Sequence, residues 1–373
     1  MSVIKIRDNI YAVGAQDPDV RIFHGYKTPF GTTYNTYLVQ DGGKNILIDN
    51  VKAAFTEEYI RNIEEIIPLE KIDLIIQNHI EPDHSGSLPA IAARIPHAPI
   101  YCTAGAQKGI AAYYGPGFNC HVVKPGETLC TGNYTFRFFP APMVHWPDSM
   151  LTYLEEEKIL FSNDAFGQHV CLDCTYDDEL GLERLMERAV NYYGNIILPF
   201  GMQVQKILGQ VEPLKIDMIC PSHGVILRAH IADIVYAYDR WCHDQADENR
   251  VVIVYDTMWG GTEKMANEIA EEHREQGQDV RVYCLRDVHY SEVMGDLVEA
   301  KSIFIGASTL NRNMMPTVAA FITYMKGLWP KKRTGMAFGS YGWSGESIGQ
   351  AEEIMQSLGW EMLPQRKMVY MGL

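Results

Sequence analysis

The sequence predicts an α/β protein of two domains, the second built on a doubly wound parallel sheet, and three observations carry that prediction. The chain has 373 residues, against roughly 100 to 200 for an average domain. Short apolar runs alternate with stretches whose apolar residues fall at three- and four-residue steps, which reads as strands and helices in one chain. From Val251 onward the alternation becomes regular, as parallel strands joined by crossover helices require.

Composition excludes several classes. At 47% hydrophobic and 21% charged the chain is an ordinary globular sequence rather than a disordered one. A net charge of −15 argues against a nucleic-acid partner, which needs clustered Lys and Arg, and favours a basic protein partner over an acidic one. No apolar run approaches the ~20 residues of a membrane span. Asp8 stands where a signal peptide needs its apolar core, so the expected location is cytoplasmic. Eight cysteines at irregular spacing fit reduced intracellular thiols. Cys171 and Cys174 form a C-x-x-C, but a rubredoxin-type iron site needs two such pairs, so the chain carries no iron–sulfur module of its own.

Taken in order, Thr33 to Val39 and Lys44 to Asp49 flank Asp41-Gly42-Gly43 and read as a hairpin. Ile72 to Ile76, Pro99 to Cys102, Tyr134 to Phe139 and Ile159 to Ser162 read as further strands, and Leu180 to Tyr193 and Ile231 to Cys242 as helices. The polar segment His243 to Arg250 reads as a linker, which sets domains at 1–248 and 249–373. Beyond it, Val251 to Tyr255, Val280 to Cys284, Ser302 to Gly306, Gly335 to Phe338 and Lys367 to Met371 are the expected strands, and Glu263 to Gln276 is the clearest helix.

Three loops after those strands share one chemistry. The first holds Thr257, Met258, Trp259, Gly260, Gly261 and Thr262 between a buried strand and a helix, where backbone N–H groups and hydroxyls can hold a phosphate. No G-K-[ST] follows, so a monophosphate fits better than a triphosphate. The second loop holds Ser308, Thr309, Leu310, Asn311 and Asn313, and the third holds Ser340, Tyr341, Gly342, Trp343, Ser344 and Gly345. Aromatic faces beside hydrogen-bonding groups and glycine describe a site for flavin mononucleotide (FMN). A hydroxyl-rich helix cap is the plainer reading of the first loop alone. At these positions the residues resemble the flavodoxin pattern.

In the first domain, NHIEPDHSG sets His79, Glu81, Asp83 and His84 within six residues just past an apolar strand. A polar loop in water accounts for any one of them alone, whereas the set suggests a metal site. His145 in MVHWPDSM, Asp164 in FSNDAFGQ and His223 in CPSHG also follow strand-like runs. Together the seven resemble the metallo-β-lactamase signature H-x-H-x-D-H followed by His, Asp and His, with Glu81 where zinc hydrolases carry a second His. A carboxylate is the harder donor and favours iron over zinc.

Across nearly the whole chain the motifs HGYKTPFGTTYNTYL, H-x-E-x-D-H, VHWPDSM, SNDAFGQ, CPSHG, YDTMWGGTEKMA and FGSYGWSGES resemble the flavodiiron proteins. That resemblance implies a metallo-β-lactamase-like αβ/βα sandwich followed by a flavodoxin-like domain. It implies that His79, Glu81 and His145 ligate one iron, Asp83, His84 and His223 the other, and that Asp164 bridges the two. It also implies reduction of dioxygen to water, of nitric oxide to nitrous oxide, or of both, with electrons from FMN. Subunits of the family pair head to tail, so a homodimer or a tetramer is expected. The external electron donor is expected to be a rubredoxin or a reduced deazaflavin coenzyme. His24, in HGY, and Tyr193, in NYYGN, are the candidates for proton or hydrogen-bond donors beside the metals, and packed aromatic residues with satisfied polar tips are the alternative. The family's second domain usually ends with a further helix, so a chain ending at Leu373 is expected to be cut short or to leave one sheet face uncovered. A zinc hydrolase on the same fold and an electron-transfer flavoprotein are the rival readings. Glu81 speaks against the first, and the complete ligand set against the second.

Overall fold

Gly42 and Gly43 both take positive φ, at 57° and 80°, so the chain reverses within two residues and Tyr37–Asp41 pairs antiparallel with Lys44–Ile48. The structure, a computed structural model, describes residues 3–124 and 126–369. The expected first strand of this hairpin is divided. Thr32–Tyr34 pairs instead with Ala15–Asp17, because Asn35 breaks the run: its backbone N–H donates to the Ser222 carbonyl and its side-chain amide to the carbonyls of Pro221 and Gly224.

The chain forms two compact units. The first comprises the chain up to Arg21 with Thr28–Ala189 and Met202–Tyr238. Its seven-stranded sheet runs from Ile4–Arg7 through Ile10–Ala12, Tyr37–Asp41, Lys44–Ile48, Leu74–Ile76 and Ile100–Cys102 to Cys120–Val122. A five-stranded sheet holds Thr128–Cys130, Thr135–Pro140, Met150–Leu154, Ile159–Asn163 and Met218–Pro221 in that order. Ile46, Ile48 and Ile76 of the first sheet share one buried cluster with Phe136, Phe161 and Cys220 of the second. Each such side chain contributes roughly 1.5–3 kcal/mol on burial. This core fixes the strand ends from which the polar loops emerge.

The second unit contains the chain from Asp239 together with Ile22–Lys27 and Val190–Gly201. Its sheet has the spatial order Asp279–Cys284, Asp247–Asp256, Ala300–Ala307, Thr334–Tyr341, then Glu361–Met362. Every pairing is parallel, and Arg366–Val369 also pairs parallel with Thr334–Tyr341. The order reverses between the strands Asp247–Asp256 and Ala300–Ala307, and ligands of such sheets bind at the carboxyl ends of strands beside that point. Val251, Ile253 and Tyr255 share a cluster with Met265, Ala266 and Ile269 of the helix Gly261–Glu275, and Val252 and Val254 alternate to the opposite face.

The expected linker is shorter than the polar composition of His243 to Arg250 suggests. The strand begins at Asp247, because ladder pairing needs backbone groups and not apolar side chains, and Arg250 adds ion pairs to Asp279 and Glu299. The end of the last expected strand, residues 370 and 371, lies outside the described residues. Among the described residues no helix is long and apolar enough to cross a membrane.

Candidate functional site

The loop that carries His79, Glu81, Asp83 and His84 is held from behind before any ligand is considered. It follows the buried strand Leu74–Ile76, and Gln77 donates its amide to the carbonyls of His79 and His84 at 2.6 and 2.8 Å. Asp49 accepts the backbone and side-chain N–H groups of Asn78. Ser85 returns its hydroxyl to the carbonyls of Ile80 and Glu81. Pro82–Ser85 is a single helical turn, so Asp83 and His84 leave it side by side.

Asp164 lies just past Ile159–Asn163, and His223 just past Met218–Pro221. The two oxygens of Asp164 face different partners. Oδ2 lies 3.5 Å from His79 Nε2 and 3.2 Å from His145 Nε2, both of which also approach Glu81 Oε2, at 3.3 and 3.1 Å. Oδ1 lies 3.0 Å from His84 Nε2 and 3.5 Å from His223 Nε2, both of which also approach Asp83 Oδ2, at 3.2 and 3.3 Å. Within each of the groups His79, Glu81, His145, Asp164 and Asp83, His84, His223 the ligand atoms lie within 4.8 Å of one another. All seven predicted residues are therefore brought together, as two sets sharing one carboxylate.

Their hydrogen bonding tests whether metals fit. Both oxygens of Asp164, both ring nitrogens of His84 and Oδ1 of Asp83 are buried and have no hydrogen-bond partner among the described residues. Of these, His84 Nε2 and the two Asp164 oxygens lie 3.0–3.5 Å from the other ligand atoms. A buried polar atom left without a partner costs about 1–3 kcal/mol, and donor atoms converging on a common point are what a cation satisfies. Three carboxylates and four imidazoles are the donors of a non-haem iron pair.

Without a metal, the set holds itself by charge. Burial opposes ionisation of Glu81, yet hydrogen bonds from His145 and His79 outweigh it and hold the carboxyl at about 2. Burial likewise opposes ionisation of Asp83, and the charge of His84 with the hydrogen bond from His223 holds it at about 2. Burial works against charge on His84, but Asp83 and Asp164 push it up to about 9.

A third trio, Asp239, Cys242 and His243, is a poor metal donor set. The Cys242 thiol donates to the Asp239 carbonyl, and burial pushes its pKa up to about 12.

In the second unit, a cavity of about 710 Å³ opens at the strand ends, within the roughly 300–1,000 Å³ of small-molecule sites. Of the predicted residues, Met258, Trp259, Ser308, Thr309, Leu310, Asn311, Ser340, Tyr341, Gly342, Trp343 and Ser344 line it. Gly260, at φ 80°, turns the chain into the helix Gly261–Glu275, where only glycine is unstrained. The hydroxyls of Thr262, Ser308 and Ser340 close a triangle with sides of 3.0, 2.8 and 3.1 Å, and Ser308 accepts the Met258 N–H. The buried Thr257 hydroxyl has no hydrogen-bond partner among the described residues. Asn313 pairs across a two-strand turn with Leu310, and its amide donates to the Asn311 carbonyl. Trp259 and Trp343 stand at the rim, 84% and 82% exposed. These features suit a flat ring with a phosphate tail.

His24 and Tyr193 belong to the second unit, and neither joins the convergent set. His24 is exposed and its ring lies against Phe23, while Tyr193 is buried against Trp241. Sequence reasoning missed Asp148, which accepts from His79 Nδ1. It also missed Gln77 and Asp49 behind the ligand loop, and Arg312 in the cavity wall. Acidic residues ending apolar strands or following a ligand by three positions were the available signal.

Residues 32–224 match the ODP family beta lactamase and residues 253–369 match the flavodoxin family. The chain is 41% identical to the anaerobic nitric oxide reductase flavorubredoxin of Escherichia coli O1:K1, over 97% of this chain and 77% of that one. Its structure superposes on the rubredoxin oxygen:oxidoreductase of Desulfovibrio gigas with a TM-score of 0.96 at 37% identity, covering 100% of this chain and 94% of that one. It also superposes on the flavodiiron protein of Giardia intestinalis with a TM-score of 0.95 at 32% identity, covering 99% and 92%.

Proposed function

Because the chain belongs to the flavodiiron proteins, we propose that it is an oxidoreductase that reduces dioxygen to water, nitric oxide to nitrous oxide, or both, with FMN and two irons as cofactors. One observation carries this reading: Asp164 divides its two oxygens between two histidine–carboxylate sets in a chain that also builds a cavity suited to a flavin. When bound, the irons supply one-electron chemistry at a small diatomic ligand and FMN passes them electrons.

The residues do the rest. His79, Glu81 and His145 would hold one iron and Asp83, His84 and His223 the other, with the Asp164 carboxylate offered to both sets. Gln77 and Ser85 keep the ligand loop from rearranging as charge changes. Beside the cavity, the loop Thr257–Thr262 would hold the phosphate of FMN through backbone N–H groups and the Thr257 hydroxyl. The triangle Thr262, Ser308 and Ser340 ties the three loops at fixed distance. Trp259, Tyr341 and Trp343 offer faces to the ring. At Gly345 the missing side chain leaves room for the Tyr341 ring, 2.7 Å from where a Cβ would stand.

Residues 1–248 are assigned to the diiron domain and 249–373 to the FMN domain, a division supported by the two matched stretches falling on either side of it. A rubredoxin, or a reduced deazaflavin coenzyme, is the proposed donor. A cytoplasmic location is supported by eight cysteines, none of them in a disulfide. We assign a head-to-tail homodimer on the family resemblance. Mixing a flavin-defective chain with a metal-defective chain tests it: verified mixed dimers that stay inactive would end that assignment.

Metal and flavin analysis of the purified protein tests the main reading. Two irons and one FMN per chain, with dioxygen or nitric oxide consumed by the reduced protein, are expected. Two zincs, or no metal, would overturn it.

A further inference from the structure

Beyond the seven ligands, the two metal positions are supported unequally. Each has one carboxylate of its own, Glu81 or Asp83, and Asp164 is shared between them. The ligands therefore bring equal charge to both positions. The difference lies one layer out. His79 Nδ1 donates to Asp148 Oδ2 at 2.9 Å. A carboxylate only accepts, so the ring proton sits on Nδ1 and Nε2 is free to face the metal. The same oxygen accepts the Ile80 N–H at 2.8 Å, so two donors hold this buried carboxylate, and the Thr103 hydroxyl holds the Asp148 backbone at 2.8 Å.

On the other side the imidazoles are supported differently. His223 Nδ1 donates to the neutral Thr33 carbonyl at 2.7 Å, and the Thr32 hydroxyl lies 3.2 Å from the same nitrogen. Nδ1 of His84 has no hydrogen-bond partner among the described residues. A carboxylate behind an imidazole raises its basicity as a ligand, and a carbonyl does so less.

We propose that Asp148 is a positioning residue that makes the metal position held by His79, Glu81 and His145 the more electron-rich of the two, so that ferric iron is stabilised there over the position held by Asp83, His84 and His223. The inference rests on the diiron reading above.

Asp148→Asn tests it, because asparagine keeps the shape and its Oδ1 accepts both N–H groups while the charge is lost. Iron content of the unaltered protein is measured first, and a lack of iron there would be a failure of the diiron reading, not of this one. With two irons confirmed, redox titration followed by Mössbauer spectroscopy compares protein and variant. The expected result is a rise in the potential of one iron by about 59 mV or more, the equivalent of a tenfold loss in ferric over ferrous preference. The other iron is expected to be unmoved. Two unchanged potentials, or two equal shifts, would overturn the proposal. Should the variant fail to fold or to hold iron, nitrogen NMR of the unaltered chain loaded with zinc decides. A proton on His79 Nδ1, slow to exchange and shifted downfield, supports the assignment, and an unprotonated His79 Nδ1 overturns it.

Discussion

In the metal cluster, Asp164, His84 and Asp83 keep buried polar atoms without hydrogen-bond partners among the described residues, whereas beside the cavity Thr262, Ser308 and Ser340 satisfy one another in a closed ring. The first region gathers charge from four separate stretches of chain and leaves it unsatisfied until a cation arrives. The second uses neutral hydroxyls and backbone at the ends of one sheet, and the hydroxyls of Thr262, Ser308 and Ser340 need no ligand to be satisfied. Metal binding and flavin binding are therefore separate problems in this chain: the first gathers buried charge, and the second shapes a cavity at the ends of one sheet.

The largest expected effect falls on the shared carboxylate. Asp164→Ala removes a ligand from both sets, so affinity for both irons should fall by more than the roughly 10- to 100-fold typical of a residue that only supports a ligand. Flavin content should not change. Iron and FMN analysis of the variant checks both halves, and simultaneous loss of FMN would break the independence of the two regions.

A smaller effect follows from the protons of the empty cluster. Histidine ordinarily titrates near 6.5, and in the metal-free chain His84 is pushed up to about 9. Its charge therefore stabilises that state fully below 6.5, and the contribution is lost as pH rises through about 9. Coordination needs the neutral ring, so the same proton opposes the metal. Between those limits the metal-free chain should grow less stable while its affinity for ferrous iron rises, by up to about tenfold per pH unit. Thermal unfolding and chelator competition across that range measure the two trends. An affinity indifferent to pH would remove His84 from the ligand set.

The smallest effect belongs to the neutral region. Thr262→Ala opens the hydroxyl triangle and should weaken FMN binding by about 1 kcal/mol, roughly fivefold in Kd, with iron content unaffected. Fluorescence titration with FMN reads this directly, and an unchanged Kd would show that the ring contributes nothing to the site.

The class of both domains and the seven residues of the cluster were legible in the sequence, because those depend on local pattern. Apolar runs of strand length ending in His, Glu or Asp are visible in one dimension, and so are Gly42-Gly43 and the hydroxyl-rich loop Thr257–Thr262. The division of Thr33 to Val39 was not visible, since Asn35 is held by Pro221, Ser222 and Gly224 from a distant part of the chain. Only the tertiary structure decided which oxygen of Asp164 faces which set, because that depends on where two strand ends arrive in space. It alone showed that Asp148, three residues past one ligand, serves His79, which lies on a loop 69 positions earlier. It alone closed Thr262, Ser308 and Ser340 into one ring. Periodicity records the burial of each face of an element, but a contact between loops is set by the packing of the elements beneath them, and no local pattern records that.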